Sequence, residues 1–134
     1  MKRVIMLMVI LTGISSSCNE DLFDRKTIIG KWELISQGIN ADNMIPINSN
    51  GGRYIEYFSD GTRGYYDTIT EEIRINGNYQ IRSGLLIYNY DKSYDQGRVD
   101  YKCDFIHNNN QLKLTFANGL SDLLFSVFIY QRIK

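Results

Sequence analysis

The alternation of apolar and polar side chains is the feature that most constrains this chain. From residue 29 onward apolar positions recur at every second residue, and no stripe with helical spacing is present. Tyr, Ile, Phe, Val and Thr are frequent there, as is typical of strands. The only proline of the chain is Pro46, so most of this region lacks the residue that best disrupts sheet ladders. The pattern predicts an all-β domain.

Turn residues divide this region into eight predicted strands. Asp60-Gly61 is typical of a tight hairpin, and Asn108-Asn109-Asn110 tolerates the left-handed backbone of a turn. The predicted strands cover residues 30–37, 52–59, 62–68, 71–82, 84–90, 97–107, 111–117 and 124–133. Short consecutive strands favour an eight-stranded antiparallel up-and-down barrel, because closure removes both exposed sheet edges.

The chain begins with the composition of an export signal. Lys2 and Arg3 precede an apolar run over residues 4–11, and small residues then lead to Cys18. The run is too short to cross a bilayer as a helix, which takes about 20 residues. The sequence therefore predicts an N-terminal signal peptide before the barrel.

The residues before Cys18 resemble the lipobox of bacterial lipoproteins, although Ser15 stands where that family usually has leucine. In the family, the cysteine thiol receives a diacylglyceryl group and the chain is cut before it. The resemblance implies a signal peptide over residues 1–17 and an acidic tether over 18–27, which precede the predicted barrel domain over 28–134. The alternative is an ordinary secretory signal that leaves Cys18 as a mature residue.

Acidic residues follow the cysteine at Glu20, Asp21 and Asp24. Such a stretch is similar to the surface-export signal of lipoproteins in some Gram-negative groups, and it is also typical of a solvated tether. The resemblance implies a lipid-anchored protein of the outer membrane, on its periplasmic side or exposed at the cell surface. Basic and acidic residues number 15 each, without a basic cluster, so no nucleic-acid partner is expected.

The ends of the predicted barrel resemble the lipocalins and the wider calycin group. Gly30 and Trp32 open the first strand with a Gly-x-Trp motif, and Arg132 lies near the end of the last. In that family the arginine lies over the tryptophan ring and caps the closed end of the barrel, through a cation–π contact. The resemblance implies this structural role for Trp32 and Arg132 here.

The predicted interior is apolar and rich in tyrosine. An eight-stranded barrel is either filled by its side chains or encloses one small ligand. We expect the following side chains to point inward with Trp32: Leu34, Ile55, Tyr57, Tyr79, Ile81, Leu85, Ile87, Val99, Tyr101, Cys103, Phe105, Leu112, Leu114 and Phe116. Tyr57, Tyr79, Tyr101 and Phe105 are the candidate ligand-binding residues, because the three tyrosines combine apolar rings with hydroxyl groups and Phe105 adds an apolar ring.

The predicted connection over residues 38–51 is unusually long for a compact domain. It is mostly polar but carries the apolar residues Met44, Ile45 and Ile47. Exposed apolar clusters on loops are typical of contact sites. We expect these three residues to form a lid over the barrel mouth and to touch the ligand.

The sequence lacks the residue sets that catalysis and metal binding need. His107 is the only histidine, and a zinc site usually has several His or Cys ligands. Cys103 and His107 lie about 13 Å apart on one predicted strand, too far for a nucleophile–base pair. We therefore expect no enzyme, metal or cofactor. Two functions remain: binding of a small apolar or amphipathic ligand, and a protein-interaction or inhibitor role through the loops.

Overall fold

The computed structural model describes residues 24–48, 54–92, 97–117 and 125–134. A short helical turn over residues 24–28 precedes nine strands in this part of the chain. The strands are β1 (Gly30–Gly38), β2 (Met44–Pro46), β3 (Tyr54–Tyr57), β4 (Thr62–Asp67), β5 (Glu72–Arg82), β6 (Leu85–Tyr90), β7 (Arg98–Ile106), β8 (Gln111–Phe116) and β9 (Val127–Ile133).

The strands form one antiparallel sheet that closes on itself. From β3 to β9 each strand pairs with the next, and β1 pairs with both β3 and β9. β1 and β3–β9 therefore make a closed eight-stranded barrel, which confirms the predicted all-β fold. Closure leaves these eight strands without a long free edge, which is the physical advantage of the barrel over an open sheet.

The first connection differs from the prediction, because part of it is a strand. β2 pairs with the far end of β1, in the register Ser36 to Pro46 and Gly38 to Met44. β3 pairs only with Gly30 to Glu33 of β1, so the far end of β1 has free backbone groups on that side. β2 pairs with these free backbone groups, so the segment after Gly38 turns back and forms a short strand.

Side chains from all around the barrel fill its interior. The buried core consists of Ile28, Trp32, Tyr57, Tyr79, Leu86, Tyr88, Cys103, Leu112 and Leu114. Burial raises the pKa of the Cys103 thiol to about 12, so this cysteine is a neutral apolar core residue at physiological pH.

The predicted orientation of β6 was wrong. Ser83 and Gly84 have positive φ values of 52° and 73°, and Arg82 pairs with Leu85, so β5 and β6 are joined by a two-residue hairpin turn. Because the turn has two residues, Leu85 pairs with Arg82 and Leu86 pairs with Ile81, so the even-numbered residues of β6 share the inward face with Ile81. Leu86, Tyr88 and Tyr90 therefore face inward with Ile81, whereas Leu85 and Ile87 lie on the outer face.

The end of the barrel near the helical turn is closed by the pair that the lipocalin resemblance implied. The Arg132 guanidinium carbon lies 4.2 Å from the centre of the Trp32 ring. Trp32 is fully buried, and its Nε1 donates a 2.7 Å hydrogen bond to the carbonyl oxygen of Ile28. The helical turn therefore covers the ring from below, and we call this end the capped end.

Candidate ligand-binding site

A cleft of about 370 Å³ opens at the end of the barrel opposite the capped end. Its lining residues are Trp32, Leu34, Tyr54, Ile55, Tyr65, Tyr66, Asp67, Thr68 and Tyr130. The pairing of Trp32 with Ile55, and of Ile55 with Tyr65, places these three on the inward face of the sheet. This mouth cleft therefore extends into the barrel, and its volume falls within the range of small-molecule sites, about 300–1,000 Å³.

Two stacked tyrosines form the lip of the mouth cleft. The rings of Tyr54 and Tyr66 have centroids 5.1 Å apart and are inclined by only 9°. The Lys31 ammonium lies 5.2 Å from the Tyr54 centroid, within the range of a cation–π contact. The lip is thus a rigid aromatic surface with an adjacent positive charge.

An arginine lies on the inward face of β4. Arg63 pairs with Tyr57 of β3 and with Gly77 of β5. Its guanidinium carbon lies 4.3 Å from the centre of the Tyr88 ring and 5.7 Å from that of Tyr57. Its Nε is inaccessible to solvent and has no hydrogen-bond partner. The barrel interior therefore contains a cation in contact with aromatic faces.

No acidic partner balances this cation within the described residues. The ion pairs there join Arg74 to Asp67 at 2.9 Å and Arg98 to Asp100 at 2.7 Å, and neither involves Arg63. Arg63 is only partly buried as a residue, so the cost of its unpaired charge is smaller than for a guanidinium fully removed from water. The ring contacts, worth up to about 2 kcal/mol when desolvated, lower this cost further.

Tyrosine rings lie beside the guanidinium, and Tyr88 forms a hydrogen bond with it. Burial disfavours the charged form of Arg63, but the negative charges that Tyr57, Tyr130 and Tyr88 carry once ionised, together with the Tyr88 hydrogen bond, raise the pKa of Arg63 overall. Burial also raises the pKa of Tyr57, Tyr101 and Tyr130 above their ordinary values, and the charge of Arg63 opposes this rise only in part for all three. At physiological pH the phenols are neutral and Arg63 is charged.

A bulge and a glycine hold Tyr88 against Arg63. The register of β4 and β5 shifts between Arg63 and Gly64, which leaves Asn76 as the extra residue of the bulge. Tyr88 donates a 2.5 Å hydrogen bond to Oδ1 of Asn76. A Cβ at Gly77 would lie 2.8 Å from the Tyr88 hydroxyl oxygen, so glycine is needed there for Tyr88 to reach this position.

The predicted ligand-binding aromatics lie inside the barrel, away from the cleft. The Tyr57 ring lies 4.9 Å from the Tyr79 ring, and the Tyr101 ring lies 4.8 Å from that of Phe116. Tyr79 donates a 2.6 Å hydrogen bond to the carbonyl oxygen of Phe58, and the Phe105 ring lies 6.3 Å from the Trp32 ring, so both pack toward the capped end. None of the four lines the mouth cleft.

The predicted lid residues lie on and next to β2. Met44 pairs with Gly38, Ile45 is 55% exposed, and the Ile47 N–H donates a 2.9 Å hydrogen bond to the carbonyl oxygen of Ile35. Ile39, Asn43, Met44, Ile45 and Phe125 line a second cleft of about 520 Å³, separate from the mouth cleft. Closure over the mouth by this segment stays a prediction.

The predicted lipidation site, Cys18, lies outside the described residues. One residue of the candidate site was not predicted from the sequence. Arg63 was missed because its face on the predicted strand was not assigned. The turn at Asp60-Gly61 carried the needed signal, since a hairpin centred there pairs Tyr57 with Arg63. Because Tyr57 was predicted to point inward, the same register predicts that Arg63 does so too.

Comparisons with known proteins found no match for this chain, either among protein-family models or among curated proteins. In the part that the structure describes, no group of three or more His, Cys, Asp or Glu side chains is placed to hold a metal ion. No helix among those residues is long and apolar enough to cross a membrane. The function is therefore inferred from the barrel and the residues that line it.

Proposed function

We propose that this protein is an outer-membrane lipoprotein, anchored by a lipid on Cys18, whose barrel binds one small amphipathic ligand. The ligand is inferred from the mouth cleft, which has apolar inward walls and a few polar groups near its floor and rim. Such a combination is typical of small-molecule sites. The anchor is supported by the residues before Cys18, which resemble a lipobox.

The filled core limits the size of this ligand. Tyr79 and Phe105 fill the capped end, and the Trp32 ring lines the inner part of the cleft, so a ligand that enters from the mouth reaches no deeper than Trp32. Tyr130 lines the cleft opposite Leu34 of β1, with which it pairs. A single short or medium apolar chain or ring system with one polar group suits this space.

Decanol is a suitable neutral probe for the apolar part of the site. Trp32 is the only tryptophan of the chain and lines the cleft, so binding should change its fluorescence. In titrations of the purified full-length mature protein, Leu34→Phe should weaken decanol binding at least tenfold by narrowing the cleft. Ile75→Phe, at an exposed position on β5, is the matched control and should bind like the parent. Equal binding by both variants would contradict a ligand in the mouth cleft.

The cleft beside β2 favours a second candidate function, a protein-interaction or inhibitor module. Ile39 and Ile45 are 62% and 55% exposed, and apolar side chains on loops and sheet edges are typical of contact surfaces. The double variant Ile39→Ser and Ile45→Ser separates the two roles. A loss of decanol binding would support a lid over the mouth, whereas unchanged binding would leave this surface free for a protein partner.

A further inference from the structure

We infer that the capped end of the barrel is a docking surface for anionic phospholipid, and that Arg25 and Arg82 bind the phosphates of its headgroups. The inference rests on the proposed function, since the lipid on Cys18 is what brings this end of the barrel to a membrane. It adds an orientation to that function: the capped end lies against the bilayer, and the mouth cleft opens away from it.

A polar cleft of about 460 Å³ lies on the outer wall of the barrel beside the capped end, and we call it the outer cleft. Arg25 of the helical turn and Arg82, the last residue of β5, both line it. The side-chain amides of Asn78, Gln80 and Asn89 line it as well. Guanidinium and amide groups both donate hydrogen bonds, so the outer cleft suits an anionic group with several oxygens.

The two arginines of the outer cleft are exposed, and neither makes an ion pair with another described residue. The carboxylate that shares the cleft belongs to Asp60. Its Oδ1 accepts hydrogen bonds from the N–H and the hydroxyl of Thr62, at 2.9 and 2.7 Å, so this carboxylate is held by its own turn. The two guanidinium groups are therefore available to a phosphate, which arginine binds through parallel hydrogen bonds.

Charge is divided between the two ends of the barrel. At each end we compare the described residues outside the strands, together with the strand residues that flank them. The capped end has more basic than acidic residues: Arg25, Lys26, Arg82 and Lys134 against Asp24 and Asp60. The mouth end has more acidic than basic residues: Asp42, Asp67, Glu71, Glu72 and Asp91 against Lys92 and Arg98. An anionic membrane surface therefore attracts the capped end and repels the mouth.

The proposed anchor lies at the same end of the barrel. Cys18 precedes Asp24, where the helical turn begins, by six residues. A polypeptide spans at most about 3.6 Å per residue, so the lipid is attached within about 20 Å of this turn. The covalent connection therefore brings to the membrane the end whose charge favours contact with it. Each Lys or Arg close to an anionic membrane surface increases binding about fivefold.

Vesicle binding tests the inference on the mature chain, residues 18–134, made without its signal peptide and therefore without lipid. The described core lies within this range, so the chain keeps its barrel. In cosedimentation at low salt it should bind phosphatidylcholine vesicles that contain phosphatidylglycerol at least about tenfold more tightly than pure phosphatidylcholine vesicles. The double variant Arg25→Gln and Arg82→Gln should lose at least about tenfold, because two charges are removed. Added salt should weaken the binding of the parent.

The double variant Arg74→Gln and Lys92→Gln is the matched control, because it removes the same charge from exposed positions at the mouth end. It should bind the phosphatidylglycerol vesicles like the parent. Equal binding to both kinds of vesicle, or an equal loss in the two double variants, would overturn the inference. So would glycerol 3-phosphate that binds as tightly as the vesicles, since the outer cleft would then be a site for a soluble phosphate. Decanol binding and lipid attachment test the proposed function independently, so the two failures are distinguishable.

Discussion

Arg132 offers the sharpest test of how this barrel is closed. Besides the Trp32 ring at 4.2 Å, its guanidinium donates hydrogen bonds to three backbone carbonyl oxygens. These belong to Ile29 at 3.0 Å, to Asn109 at 3.2 Å and to Thr27. The side chain thus ties the helical turn, the start of β1 and the β7–β8 turn to β9. Arg132→Met keeps most of the apolar stem and removes all these contacts.

The expected loss can be worked from these contacts. A cation–π contact contributes about 0.5–2 kcal/mol, and a hydrogen bond from a charged donor about 1.5–3 kcal/mol. The simple sum is too high, because Arg132 is only partly buried, its burial lowers the pKa of the guanidinium, and the freed carbonyls regain water. We therefore expect the free energy of unfolding to fall by about 2–4 kcal/mol, within the range of changes with a clear mechanism.

Urea unfolding followed by circular dichroism measures this free energy, and a thermal melt provides a second value. For a domain of this size the expected loss corresponds to a melting temperature lower by about 8–16 °C. Arg132→Lys should lose most of the same stability, because an ammonium cannot donate along the same three directions. Arg82→Met, at an exposed arginine, should stay within about 0.5 kcal/mol of the parent. If Arg132→Met does so too, the cap does not contribute to closure and the reasoning is wrong.

Two further predictions concern a buried glycine and the N-terminal cysteine. Gly77→Ala should destabilise the domain by about 1–3 kcal/mol, because the added Cβ would lie 2.1 Å from the Asn89 carbonyl oxygen. Gly84→Asn is the control in the same urea titration. It should be nearly neutral, because the space around Gly84 is open and asparagine tolerates its positive φ. Cys18→Ala should prevent labelling with radioactive palmitate and release the protein from the membrane fraction, and unchanged fractionation would contradict lipidation.

The fold could be predicted from the sequence because its signals are local. Alternation of side chains identifies strands, and the residues of tight turns separate them, as Asp60-Gly61 does between β3 and β4. Where a turn was overlooked, the prediction failed in a definite way. Ser83-Gly84 forms a two-residue turn, and counting β6 without it placed Leu85 and Ile87 inside the barrel. The strand itself was correct, but every side chain on it was assigned to the wrong face.

β2 could not be predicted because its existence depends on a distant strand. Its sequence contains Pro46, and only three of its residues pair. It forms because β3 ends its pairing with β1 at Glu33 and leaves the far half of β1 open. The candidate site also depends on strands that are distant in the sequence. Its residues come from β1, β3, β4, β6 and β9, and their proximity follows from barrel closure, which alternation alone does not specify.

The two inward arginines of this barrel differ in the groups that hold them. Arg132 satisfies its donors with backbone carbonyl oxygens, so the fold itself accounts for its charge. Arg63 contacts aromatic faces, and its Nε lacks an acceptor. Arg63 also forms a hydrogen bond with Tyr88, and the residue as a whole is only partly buried. Backbone carbonyl oxygens therefore hold Arg132 in place at the capped end, whereas Arg63 is held by rings and a hydroxyl and keeps one N–H donor that the described residues do not satisfy.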